Sequence, residues 1–176
     1  MAIDPRFKAF LEGIPVFGGL ADGTLERIVD MLREEHFQPH QVVCREGETG
    51  TAMYIIGSGE VVLCRTGETG KQIRVVRMGR GDFFGETTLI EMQPRAATAV
   101  AEAVTTTYAL SNKDLYRLYR EDLQGYVMVI QNIARELSRR LGRANGRITE
   151  MAEETGDEHT QIGIRAPIKP GRHPLK

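Results

Sequence analysis

Between His36 and Ser111 the chain is cut into short β-branched runs with glycines at the breaks. No other feature constrains the fold as much. The runs are Gln41–Arg45, Ala52–Ile56, Glu60–Arg65, Ile73–Met78, Ala97–Ala103 and Thr105–Leu110. Gly57-Ser58-Gly59 and Gly79-Arg80-Gly81-Asp82 read as tight turns, because glycine reaches positive φ without a Cβ penalty. Short strands at this spacing predict an antiparallel barrel or sandwich.

Helical periodicity flanks this region. Over residues 6–33, Leu25, Ile28, Val29 and Leu32 fall on one face, with Thr24 as a cap after Asp22-Gly23. The apolar turn Ile14-Pro15-Val16-Phe17-Gly18-Gly19-Leu20 interrupts the helical pieces. Beyond the strands, Ser111 or Asn112 caps a segment over Lys113–Arg120, and a longer helix starts near Leu123. Its apolar stripe is Tyr126, Ile130, Ile133, Leu137, Leu141, Ala144, Ile148 and Met151, of coiled-coil type. Arg135, Arg139, Arg140, Arg143 and Arg147 occupy the opposite face. Gly142 and Asn145-Gly146 are expected weak points where this helix frays or ends. The expected division is a helical segment at 1–35, a β-rich region at 36–111, helices at 112–151 and a flexible tail at 152–176. Three prolines in that tail exclude regular structure.

A chain of 176 residues with net charge −1 suits one domain plus an appendage, and no global charge points to nucleic acid or to a membrane surface. No run approaches a spanning helix, and the first residues lack the apolar core of a signal peptide, so the expected location is cytoplasmic. Cys44 and Cys64 both sit in strand-like runs and are expected to be reduced thiols. Neither their spacing nor that of the four histidines fits a metal site, and no cofactor is expected.

The chemistry concentrates in Phe83-Phe84-Gly85-Glu86-Thr87-Thr88-Leu89-Ile90-Glu91-Met92-Gln93-Pro94-Arg95-Ala96-Ala97-Thr98. A glycine turn, an acid and one helical turn precede a lone arginine. Backbone N–H groups at a helix start point at an anion, and arginine adds a planar, doubly donating cation. Glu86 repels a phosphate and is better suited to accept from a sugar hydroxyl. Phosphate together with a ribose hydroxyl indicates a nucleotide.

Phe84-Gly85-Glu86, Leu89 and Pro94-Arg95-Ala96-Ala97-Thr98 resemble the phosphate-binding cassette of cyclic-nucleotide-binding domains. Ile14–Leu20 resembles the "P-x-F-x-x-L" entry of the same family. The resemblance implies an α+β fold: an antiparallel double-stranded β-helix (a jelly-roll-like β-roll) of eight strands, with N-terminal helices and a long C-terminal helix. A cassette helix is expected at about 86–91. By the same resemblance Arg95 takes the cyclic phosphate and Glu86 the ribose 2′-hydroxyl. Backbone N–H groups of Gly85, Glu86, Thr87, Thr88 and Ala96 complete the cradle, beside Phe84 and Ala97. Val62, Val76 and Met78 line base and sugar, with β-roll core as their simpler role. Thr87-Thr88 departs from the family's usual residues, and Thr88 either crowds the ligand or adds a hydroxyl contact. Arg139, Arg140 or Leu141 reaches the purine, or belongs to a solvated helix face.

The resemblance also implies base selectivity: members that prefer cyclic GMP often carry a Thr at the position of Ala96, whose hydroxyl reaches the guanine amino group, so the expected ligand is cyclic AMP ahead of cyclic GMP or cyclic di-GMP. A stand-alone, bacterial-type receptor module follows, not an enzyme. It would signal through its C-terminal helix to a homodimer or an effector protein, without direct DNA binding. The competing expectation is a degenerate interaction module of the same fold that binds no cyclic monophosphate, or binds a cyclic dinucleotide. A third expectation is a regulatory piece of a longer channel or kinase.

Overall fold

The computed structural model describes residues 4–91 and 93–155. The chain divides into two units, residues 1–136 and 137–176. In the first unit eight antiparallel strands form two four-stranded sheets, ordered β1-β8-β3-β6 and β2-β7-β4-β5. The strands are β1 (Arg33–Phe37), β2 (Val42–Cys44), β3 (Ala52–Ser58), β4 (Val61–Thr66), β5 (Gln72–Met78), β6 (Phe83–Phe84), β7 (Thr98–Ala101) and β8 (Thr105–Ser111). The α+β β-roll expected from the sequence is the observed fold.

Alternation along the strands builds the core. Cys44, Ile56, Val61, Met78, Phe84 and Ala99 are buried together, with Tyr54, Leu63 and Val76 packed against them. Met53 and Ile55 alternate to the other face of β3 and are also fully buried, so β3 is covered on both sides. On the first sheet, the Phe7 ring lies 4.8 Å from that of Tyr108 in β8.

Phe7 belongs to α1 (Pro5–Glu12), which starts on Pro5 behind an Asp4 cap whose carboxylate accepts from Arg6 N at 2.8 Å. A 3-10 turn at Pro15–Phe17 and α2 (Asp22–Met31) follow. Thr24 does not cap α2. Its hydroxyl instead donates to Asp122 Oδ2 at 2.5 Å, a tertiary use that outcompetes the local one. Ser111, rather than Asn112, caps α4 (Asn112–Glu121), in a reciprocal capping box with Asp114.

Helix α5 runs unbroken over Leu123–Thr155, through Gly142 and Asn145-Gly146. Its buried face also differs from the expected stripe. Within the first unit, Gly125, Val129, Asn132, Ile133 and Glu136 are buried, whereas Tyr126 and Ile130 are half-buried. Asn132 selects this face: its Nδ2 donates to Gly18 O at 2.8 Å and to Val16 O at 3.2 Å, capping the 3-10 turn. In the second unit, Leu141, Ile148 and Met151 are exposed. The tail expected at 152–176 lies almost wholly outside the described residues.

Cys44 and Cys64 are free thiols on strands separated by β7. Burial pushes the Cys44 thiol up, with the Arg95 cation pulling the other way. Among the described residues no helix is long and apolar enough to cross a membrane, and no acid, His and Cys cluster is arranged to hold a metal ion.

Candidate functional site

The candidate site is built on the crossing from one sheet to the other. Strand β6 ends at Phe84 on the edge of the first sheet, and β7 begins at Thr98 in the second. The intervening segment holds the single turn α3 (Thr87–Ile90), shorter than the expected 86–91. Gly85 makes the bend at φ +76°, in the left-handed region that favours glycine. A Cβ on Gly85 would also collide with the Arg95 Nη1 atom and lie 3.3 Å from Ala52 O.

Arg95 is 7% exposed. Its backbone is sewn to the loop before β3: Arg95 N donates to Glu48 O at 2.8 Å, and Gly47 N to Arg95 O at 2.9 Å. The guanidinium then turns inward. Nη2 donates to Ala52 O at 2.7 Å, and Nη1 to Thr88 Oγ1 at 3.3 Å and Gly85 O at 3.4 Å. The cation also lies 5.4 Å from the centre of the Tyr54 ring, which stacks on Phe84. Gly50 makes room for this arrangement, since a Cβ there would come within 2.9 Å of Arg95 Nε.

All these partners are neutral. Among the described residues Arg95 forms no ion pair, although the chain makes many elsewhere. A buried cation without an anion is costly, so the site has capacity for one. Neutral oxygens and an aromatic face hold the guanidinium in place without spending its charge.

Glu86 is 5% exposed and immediately precedes α3. Thr87 faces solvent and Thr88 is buried. The Thr88 hydroxyl is turned to Arg95 and accepts from its Nη1. Thr88 N–H is taken up by Gly85 O at 3.2 Å within the turn. Ala96 is exposed and Ala97 half-buried. Val76 and Met78 fall on the inner face with Phe84, where Val76 pairs with Leu63 and Met78 with Val61. Val62 alternates to the opposite face of β4, opposite Arg77. Arg139 and Arg140 lie on α5 in the second unit.

A sequence profile of the cyclic nucleotide-binding domain matches residues 34–122, the β-roll together with α4. The chain belongs to this family. Family members of this kind are regulatory domains. The chain is 28% identical over 165 residues to the cyclic AMP receptor protein of Thermus thermophilus, covering 94% of this chain and 74% of that one. It is 35% identical over 99 residues to a cGMP-dependent protein kinase of Drosophila melanogaster, covering 56% of this chain. It spans only 11% of that kinase's length. Among solved structures, the Thermus thermophilus catabolite activator protein superposes with a TM-score of 0.69 at 30% identity, covering 78% of this chain and 63% of that one. A cyclic nucleotide-binding domain from Methylobacillus flagellatus gives 0.76 at 21% identity, with 83% and 84% covered, and so shares the fold.

Tyr54, Ala52 and Gly50 were not singled out as site residues from the sequence. Tyr54 sits in an ordinary strand run, and nothing local announces that it will face an arginine 41 positions later. Gly50 was readable only as turn punctuation, whereas its role here is steric.

Proposed function

We propose that this chain is a receptor module for cyclic AMP, whose activity is binding rather than turnover. The observation that carries the reading is the buried Arg95 guanidinium, held by neutral groups and without an acid partner among the described residues. A cyclic phosphate supplies the missing charge. Glu86, buried beside the same turn, accepts the ribose 2′-hydroxyl. Ala96, exposed and without a hydroxyl, favours adenine over guanine.

Ligand binding is passed on through the C-terminal helix to a second copy or to an effector protein, in a soluble, cytoplasmic setting and without direct DNA contact. Such transmission requires different affinity for two helix arrangements. The exposed apolar residues Leu141, Ile148 and Met151 suit a helix-mediated homodimer. Leu141→Glu combined with Ile148→Glu then converts a sedimenting dimer to monomer. A monomeric wild type at high micromolar concentration removes that part of the proposal.

One observation favours a second reading. Three acceptors already engage Arg95, as suits an interaction module that binds no cyclic monophosphate, or takes a cyclic dinucleotide. Titration calorimetry with cyclic AMP, cyclic GMP and cyclic di-GMP separates the two. Tightest binding of cyclic AMP supports the receptor; silence with all three, or preference for the dinucleotide, replaces it.

A further inference from the structure

Thr88 is bonded on both sides. Its hydroxyl accepts from Arg95 Nη1 at 3.3 Å, and its carbonyl accepts from Asn112 Nδ2 at 3.2 Å. Asn112 is the first residue of α4, and its own backbone N–H donates to Thr51 O at 2.9 Å. Two side-chain bonds therefore connect the buried cation to the start of the helix that follows the β-roll.

The amide orientation follows from chemistry. Turning Oδ1 toward the Thr88 carbonyl would set two acceptors face to face. With Nδ2 committed to Thr88, Asn112 Oδ1 is buried without a hydrogen-bond partner. An acceptor left unsatisfied in this way costs free energy and calls for an explanation. Packing offers no alternative reason for an asparagine here, because open space flanks it. A cavity of about 680 Å³ bordered by Thr49, Gly50 and Lys113 reaches Asn112, as does one of about 340 Å³ bordered by Leu89, Leu115 and Tyr126.

We propose that Asn112 is a positioning residue for the anion site: it holds the Thr88 carbonyl and, through Thr88, the orientation of the Arg95 guanidinium. Seating of the first turn of α4 and occupancy of the site are then linked through one residue. The inference rests on the nucleotide-binding reading above and adds a named connection between Arg95 and α4.

Asn112→Asp tests it. The substitution keeps the shape, removes the donor, and places a carboxylate in the first turn of α4, where the helix dipole favours it. The unliganded variant is expected to melt below the wild type, because a carboxylate oxygen then faces the Thr88 carbonyl, and its cyclic AMP affinity to fall about fivefold, the size of one neutral hydrogen bond. Thr88→Val, which keeps the shape and loses the hydroxyl, also weakens binding, and the double variant loses less than the product of the two. A second arm needs no ligand. In ¹⁵N spectra of the unliganded protein, Asn112→Asp shifts the Arg95 Nε–H resonance. Unchanged affinity, strictly multiplicative losses or an unmoved Arg95 resonance would overturn the inference. If the wild type binds no cyclic nucleotide, the proposed function falls and the Arg95 resonance alone decides. Should Asn112→Asp fail to fold, Asn112→Ala is read by the same measures.

Discussion

Arg95 reaches back across the chain to Ala52, its Nη2 donating to the Ala52 carbonyl at 2.7 Å. The bond ties the end of the cassette to the first residue of β3, next to the Tyr54 ring that lies over the same cation. Strand β3 therefore adds a polar and an aromatic support to the two bonds that the cassette makes to the same guanidinium.

Arg95→Ala should abolish tight cyclic AMP binding and leave the β-roll folded. Losing one partner of a buried charge pair costs about 2–5 kcal/mol, or roughly 30-fold to several thousand-fold in affinity. Calorimetry and a melting curve check both halves. An affinity within about threefold of wild type, on an unchanged melt, would sink the assignment.

Ala96→Thr should raise relative affinity for cyclic GMP. An added hydroxyl offers the guanine amino group an acceptor worth about 1 kcal/mol, near fivefold. The measurement is the ratio of the two dissociation constants in wild type and variant. A constant ratio means that the base is turned away from position 96.

Gly85→Ala and Gly70→Ala form a controlled pair. Both glycines have positive φ, +76° and +75°, but only at Gly85 would a Cβ meet other atoms, foremost Arg95 Nη1. Backbone strain alone costs about 1–2 kcal/mol. Gly70→Ala should lose that much stability and bind cyclic AMP normally. Gly85→Ala should lose more and bind weakly. Equal losses from chemical denaturation would show that Arg95 yields without cost.

Asp122 should make stability depend on acid pH. Bonds from Thr24 and Gly125, together with the Arg27 guanidinium, hold its carboxyl below the ordinary 3.8. A carboxyl depressed on folding contributes fully above its unfolded pKa, and that contribution is lost as pH falls through the lower folded value. The stability gap between wild type and Asp122→Asn should therefore be flat from neutral pH to about 5 and shrink below about 4. A gap that widens on acidification would contradict the sign.

The cassette could be read from the sequence because its residues are contiguous and few types can serve. The strands from Val42 onward, apart from the two-residue β6 (Phe83–Phe84), were readable because β-branched runs and turn glycines alternate. Strand β1 was not, since Arg33-Glu34-Glu35-His36-Phe37 is polar but for its last residue and shows no apolar alternation. It is a strand because β8 pairs with it, from Arg33 opposite Ala109 to Phe37 opposite Thr105. Helix α5 outlasted its expected breaks because each glycine costs only about 1 kcal/mol in a helix interior, against a run of 33 residues. Its buried face was hidden because Asn132, a polar residue, decides it by capping carbonyls more than a hundred positions away. The Thr88–Asn112 bond had no local signal, being a contact between two segments that periodicity treats separately.

The pairing of β1 with β8 joins the first strand of the roll to its last. This sheet cannot be completed until the residues of β8 have left the ribosome, and contacts so distant in sequence form slowly. The supports of Arg95 at Glu48, Ala52 and Tyr54 are likewise distant in sequence, so its cradle also forms only when separate segments of the roll have come together. Any ligand at Arg95 therefore selects only chains that have finished folding. By mass action it prolongs their lifetime, so that abundance of the protein would rise with the nucleotide proposed to bind there.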